Sequence, residues 1–177
     1  ADMPAEDFLR VLDEVAEAYD PHRITIAVTG GEPTLRPDLE HCGREFTRRG
    51  FRWGMVSNGY DLPAERFAEL MGAGLRALTI SLDGLEASHT WLRGRPESFA
   101  RALEAIRRAA REPRLTFDVV TCVNQRNFGE LAAVRDLLGE CGLRRWRLFT
   151  IFPKGRAEDS PDLDVTYVWV GNTRNGD

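Results

Sequence analysis

The sequence predicts an α/β fold built on a largely parallel sheet, and three observations carry that prediction. Strand-length apolar runs alternate with helix-length amphipathic runs in the order αβαβαβαβαβ. The connections are short, and parallel neighbours need a helical crossover between them. Each apolar run also ends in a small, polar, often Gly-containing cluster before the next helix begins. In a parallel sheet or barrel those strand ends share one rim, where such folds bind ligands.

Taken in order, the first helix enters at Pro4-Ala-Glu-Asp and places Phe8, Leu9, Val11, Leu12 and Val15 at helical spacing; Phe8, Leu12 and Val15 are expected in the core. Asp20-Pro21 ends it. The strand Ile24-Thr-Ile-Ala-Val28 then runs into Thr29-Gly-Gly-Glu-Pro33. A second helix starts near Pro37-Asp-Leu and closes at Arg48-Arg-Gly50, cations and then glycine at the negative end of the dipole. Arg52-Trp-Gly-Met-Val56 reads as a strand ending in Ser57-Asn-Gly59, followed by a helix from Leu62-Pro63 to Gly72-Ala-Gly74. Ala77-Leu-Thr-Ile80 ends in Ser81-Leu-Asp-Gly84, and a fourth helix follows Arg95-Pro96 with Phe99, Leu103 and Ile106 on its apolar side. Leu115-Thr-Phe-Asp-Val-Val120 ends in Thr121-Cys-Val-Asn124, ahead of a fifth helix from about Phe128 to Glu140. Trp146-Arg-Leu-Phe149 is the last strand of the repeat and runs into Thr150-Ile-Phe-Pro-Lys-Gly155. No linker divides residues 1–165, which read as one domain; 166–177 form a C-terminal segment in which Thr166-Tyr-Val-Trp-Val170 has strand character. Because a (βα) repeat naturally opens on a strand, one strand and its loop are expected upstream of the first helix.

Composition bounds the function. The 177 residues are 42% hydrophobic and 29% charged, ordinary globular values. A net charge of −4 argues against a broad nucleic-acid surface. No apolar run has the roughly 18–20 residues of a membrane span, and no signal-peptide pattern opens the chain. Cys42, Cys122 and Cys141 are too widely spaced for a disulfide framework or a local metal motif. A reducing, cytoplasmic setting is expected, with no membrane partner.

The ordered clusters Gly30-Gly31-Glu32-Pro33, Ser57-Asn58-Gly59 and Ser81-Leu82-Asp83-Gly84 resemble the radical S-adenosylmethionine (SAM) enzymes. Trp91-Leu-Arg93-Gly and Phe152-Pro-Lys-Gly-Arg-Ala157 resemble its SPASM-bearing branch of peptide and sulfatase maturases. The resemblance covers about residues 3–160 and implies a partial (β/α)6, TIM-like barrel with SAM and a [4Fe–4S] cluster as cofactors. It implies reductive cleavage of SAM to a 5′-deoxyadenosyl radical, hydrogen abstraction from a peptide or protein side chain, and an electron donor such as flavodoxin or ferredoxin. The family's CxxxCxxC loop is absent from this sequence, so the cluster ligands are expected outside it, just upstream, and the chain alone is expected to be inactive.

By the same resemblance, Gly30 and Gly31 let backbone approach the ligand, Glu32 accepts from the SAM ammonium, and Pro33 fixes the turn. Ser81 and Arg93, twelve residues apart, hold the carboxylate, Arg by a charge-assisted fork. Asn58 and Asn124 end neighbouring strands as ribose or methionine contacts, Ser57 counts among the cofactor-binding residues, and Asp83 faces the same rim. Taken singly, each cluster reads as an ordinary turn, and His22, His41 and His89 as solvated or capping residues. Cys122 reads as a small core residue. Two other classes stay open: a non-catalytic barrel that binds SAM or a nucleotide, and a (βα) enzyme that binds a phosphorylated small molecule through Gly30-Gly31.

Overall fold

Five strands, β1 (Thr25–Val28), β2 (Arg52–Ser57), β3 (Leu75–Ser81), β4 (Thr116–Val123) and β5 (Trp146–Thr150), form one sheet in the order β1-β2-β3-β4-β5, with every pairing parallel. They come from a computed structural model that describes residues 3–150. The expectations for Phe152–Ala157, for Thr166–Val170 and for the domain boundary at 165 fall outside the described residues. Among the described residues, six α-helices accompany the strands: α1 (Ala5–Ala18), α2 (Leu39–Arg48), α3 (Ala64–Gly72), α4 (Glu86–Arg93), α5 (Ser98–Ala110) and α6 (Leu131–Glu140).

The sequential strand order has no reversal point, unlike a doubly wound sheet, and is the arc of a (β/α) barrel. Crossovers of one hand then place the helices on one face, and burial follows that division. On β3, Leu78 and Ile80 are buried, whereas Thr79 and Ser81 between and beyond them are half-exposed. On β2, Trp53 and Met55 are sealed while Val56 faces out. Trp53 anchors this layer: it is fully buried, packs edge-on against Phe46 of α2, and donates its indole N–H to the Ala73 carbonyl at 3.2 Å. The stripe expected on α1 is only half-buried; Phe8 and Leu12 line an apolar cavity of about 590 Å³ with Ile26 and Val28 of β1.

Two elements depart from the sequence reading. β4 continues to Val123 and absorbs Thr121-Cys122-Val123, because β5 pairs with it there (Cys122 with Phe149, Val123 with Thr150). The buried Thr121 hydroxyl also ties into the layer, accepting from the Trp146 indole at 2.9 Å. The second departure is α4, where no helix was expected. Its segment has little apolar periodicity; its ends are made by contacts described below and by Gly94, whose left-handed conformation (φ 68°) closes it.

Gly54 shows how closely β2 and β3 pack. A Cβ there would lie 2.5 Å from the Ala77 Cβ and 2.7 Å from the Ala77 carbonyl oxygen. Backbone cannot yield as a side chain does, so Gly54→Ala is expected to destabilise the fold by about 1–3 kcal/mol, the usual cost of overpacking, read as a lower urea midpoint at unchanged slope.

Candidate functional site

The rim after β1 and β2 is organised by Glu32. Its Oε1 accepts from the Thr34 backbone N–H (3.1 Å), the Thr34 hydroxyl (2.8 Å) and the Ser57 hydroxyl (2.8 Å), and its Oε2 accepts from the Asn58 N–H (2.7 Å). Pro33 opens the single 3-10 turn Pro33–Leu35, capped by that same carboxylate. The predicted Glu32, Ser57 and Asn58 are thus brought together, with Glu32 bonded to both neighbours. A carboxylate has about four lone-pair positions, so Oε2 still has room for another donor. Ser57 is buried and also accepts from the Gly59 N–H, while the Asn58 side-chain oxygen accepts from Tyr60 N–H.

Gly30 and Gly31 lie beside this carboxylate. Gly30 has a positive φ of 129°, which requires glycine. Gly31 does not have one, and a Cβ there would meet no protein atom within 4 Å. Packing within the chain does not account for glycine at 31, which leaves uncovered backbone beside Glu32.

The rim after β3 and β4 is organised by Asp83 and Asn127. Asp83 is 1% exposed. Its Oδ1 accepts from the Cys122 N–H at 2.8 Å and its Oδ2 from Arg93 Nη2 at 2.5 Å. The fully buried Asn127 donates to the Asp83 and Cys122 carbonyls (2.9 Å each) and accepts from the Asn124 N–H at 2.8 Å. Glu130 reaches across to accept from Leu85 N–H (2.8 Å) and the Ser88 hydroxyl (2.7 Å), capping α4 from 45 residues away. Gly84 leaves room for it, since a Cβ there would approach Glu130 Oε2 to 2.8 Å.

Arg93 therefore meets Asp83, and among the described residues it makes no bond to Ser81. Its guanidinium is partly exposed, yet its Nε is buried without a hydrogen-bond partner. Such an orphan is costly unless something else accepts from it. The Asn124 side chain is turned to its own loop, accepting from the Arg126 and Asn127 N–H groups. Cys122 is half-buried on β4 rather than packed in the core, and burial pushes its thiol and that of Cys42 upward, away from the thiolate form. Among the described residues, no three His, Cys, Asp or Glu side chains come together as a metal site.

The model of the radical SAM superfamily matches residues 1–138. This chain belongs to the radical SAM superfamily. Among curated relatives, it is 31% identical over 163 residues to an AdoMet-dependent heme synthase of Methanosarcina barkeri, covering 92% of this chain and 46% of that protein. It is 34% identical over 88 residues to a PqqA peptide cyclase of Rhodopseudomonas palustris, covering 50% and 22%. The structure of Streptococcus suis SuiB bound to S-adenosylmethionine shares the fold, with a TM-score of 0.67 at 16% identity, over 84% of this chain and 34% of that one. The chain thus spans less than half of each relative. Radical SAM proteins use S-adenosylmethionine and a [4Fe–4S] cluster; the residues of this rim fit the first, and its cysteines do not form a ligand set for the second.

Sequence reasoning missed His89, Asn127, Glu130 and Thr34. Asn124-x-x-Asn127 at the end of a strand is an Asx-turn signal that was available. His89 carried none, and the expectation of a solvated or capping role is corrected: it is fully buried, while His22 and His41 are exposed. Its Nδ1 accepts from the Asp83 N–H at 3.0 Å, and burial pushes its pKa down to about 4. A depressed histidine contributes stability that is complete above the unfolded value near 6.5 and is lost as pH falls toward 4. Denaturation at pH 7 and pH 4.5 is expected to show wild type losing stability over this window, by at most about 3 kcal/mol from this residue, and His89→Gln losing correspondingly less.

Proposed function

We propose that this chain is the SAM-binding barrel portion of a radical SAM enzyme that abstracts hydrogen from a bound substrate. The observation that carries the reading is the Arg93 guanidinium, anchored through one nitrogen by Asp83 two residues beyond the β3 end that holds Ser81, with its side chain still 30% exposed. A carboxylate accepts from such a group by a charge-assisted bond, and Ser81 supplies a hydroxyl donor from the same rim. Glu32 Oε2 accepts from the ammonium, and the open backbone at Gly30-Gly31 lets the ligand lie close. Asn58 and Asn124 serve the nucleoside end, Asn124 through the loop it shapes. With a reduced [4Fe–4S] cluster whose ligands lie outside this sequence, and a donor such as flavodoxin or ferredoxin, SAM supplies the 5′-deoxyadenosyl radical. The rim's work is to orient the ligand and keep water from it.

A peptide or protein side chain is the proposed substrate class, in a SPASM-bearing protein, supported by similarity to the PqqA peptide cyclase over half of the chain. The longer match to heme synthase favours a second reading, an iron tetrapyrrole. Reduced full-length enzyme incubated with SAM and either peptides encoded beside its gene or an iron porphyrin separates them. Deoxyadenosine formation together with a peptide mass change supports the first; deoxyadenosine that rises only with the porphyrin supports the second. Among the described residues no helix is long and apolar enough to cross a membrane, and a cytoplasmic setting is proposed on composition.

The SAM site has its own test. Arg93→Lys keeps a cation opposite Asp83 but removes the planar fork of donors. Calorimetric titration of the reconstituted enzyme is expected to show SAM binding weakened by about 1.5–3 kcal/mol with little change in melting temperature. Unchanged affinity would mean that Arg93 does not hold the ligand. Glu32→Ala, by contrast, is expected to lower both affinity and melting temperature, because four protein hydrogen bonds end on that side chain.

A further inference from the structure

We infer that Asp83 is a positioning residue: it holds the Arg93 guanidinium ready for the SAM carboxylate and does not itself touch the ligand. This rests on the reading of Arg93 above and adds the device that aims it.

Asp83 is fixed at four points. Its two carboxylate oxygens are occupied by the Cys122 N–H of the neighbouring strand and by Arg93. Its backbone N–H is donated to His89 and its carbonyl is held by Asn127. Almost no surface is left for a ligand to reach. His89 and Arg93 are four residues apart on α4, so both lie on one face of that helix and both point back to Asp83. One contact fixes the helix through the Asp83 backbone; the other fixes the guanidinium through its side chain.

A buried carboxylate is expensive unless paired, and truncating one partner of such a pair exposes the cost. Here the pairing has a directional result. Asp83 takes Nη2 while the Arg93 side chain keeps 30% of its surface exposed, so one end of the guanidinium is anchored and the rest of the group remains accessible. An arginine free in solvent would lose its rotamer freedom when the ligand binds. Held by Asp83, it loses that freedom on folding, and binding is stronger by the difference.

The test uses the full-length reconstituted enzyme, titrated with SAM and with 5′-methylthioadenosine, which has the nucleoside and thioether but no carboxylate. Asp83→Asn preserves the shape and the acceptor for the Cys122 N–H while removing the charge that holds Arg93. It is expected to weaken SAM about tenfold and leave methylthioadenosine unchanged. The double variant Asp83→Asn/Arg93→Gln, a neutral hydrogen-bonding pair that folds even if the single Asn variant does not, is expected to bind SAM no more weakly than Arg93→Gln alone. Equal losses for both ligands would make Asp83 merely structural and overturn the inference. So would unchanged SAM affinity in Asp83→Asn, or an additive loss in the double variant. If Arg93→Gln alone leaves SAM affinity intact, the reading of Arg93 falls and takes this inference with it; if Arg93→Gln weakens SAM and Asp83→Asn does not, only the inference falls.

Discussion

The structure depends on a buried polar weld between the loops that follow β3 and β4. Asp83, Asn127, His89 and Glu130 bond one another or the backbone around them, three of the four are sealed from solvent, and the His89 Nε2 alone of this set is buried without a partner. The low local dielectric that strengthens each completed bond also raises the cost of a missing one. The consequence is that two loops, the kind of segment that ordinarily moves most freely, are tied to each other and to the strand ends beneath them.

Glu32 performs a smaller version of the same task between β1 and β2, reaching from one loop to the hydroxyl and the backbone at the end of the next strand. The rim is thus two welded pairs of loops. At the edges of these welds lie the partly exposed Arg93 guanidinium, the spare position on Glu32 Oε2 and the uncovered backbone at Gly31. Arg93 and Glu32 are opposite in charge and each is already held by protein groups, and the proposed reading of this rim rests on that pairing of charges.

The sheet explains why the rim can be both tied down and open. Its outer face is sealed by apolar side chains such as Trp53, Leu78 and Ile80 against the helices. Its inner face carries a polar cluster instead: Arg147 of β5 pairs with Asp118 of β4, and Thr79 of β3 donates to the same carboxylate. Stability comes mainly from one side of the sheet, which frees the other side and the strand ends for ligands.

The alternation of strands and helices, the parallel sheet and the clusters on its rim were legible in the sequence, because periodicity, glycine and proline act over a few residues. Asn58 and Asn124 were expected to end neighbouring strands, but β3 lies between β2 and β4, and the bonds of Glu32 to Ser57 and Asn58 emerged only with the fold. Partners across longer separations came from packing. Helix α4 escaped notice because the group that caps it, Glu130, lies 45 residues downstream of Leu85. The hold of Asp83 on Arg93 was not visible in the sequence, because a carboxylate excluded from water takes the nearest cation and only packing decides which one that is. His89 looked like a surface histidine and is a buried acceptor, for burial is a property of what packs over a residue, and its neighbours in sequence do not reveal that.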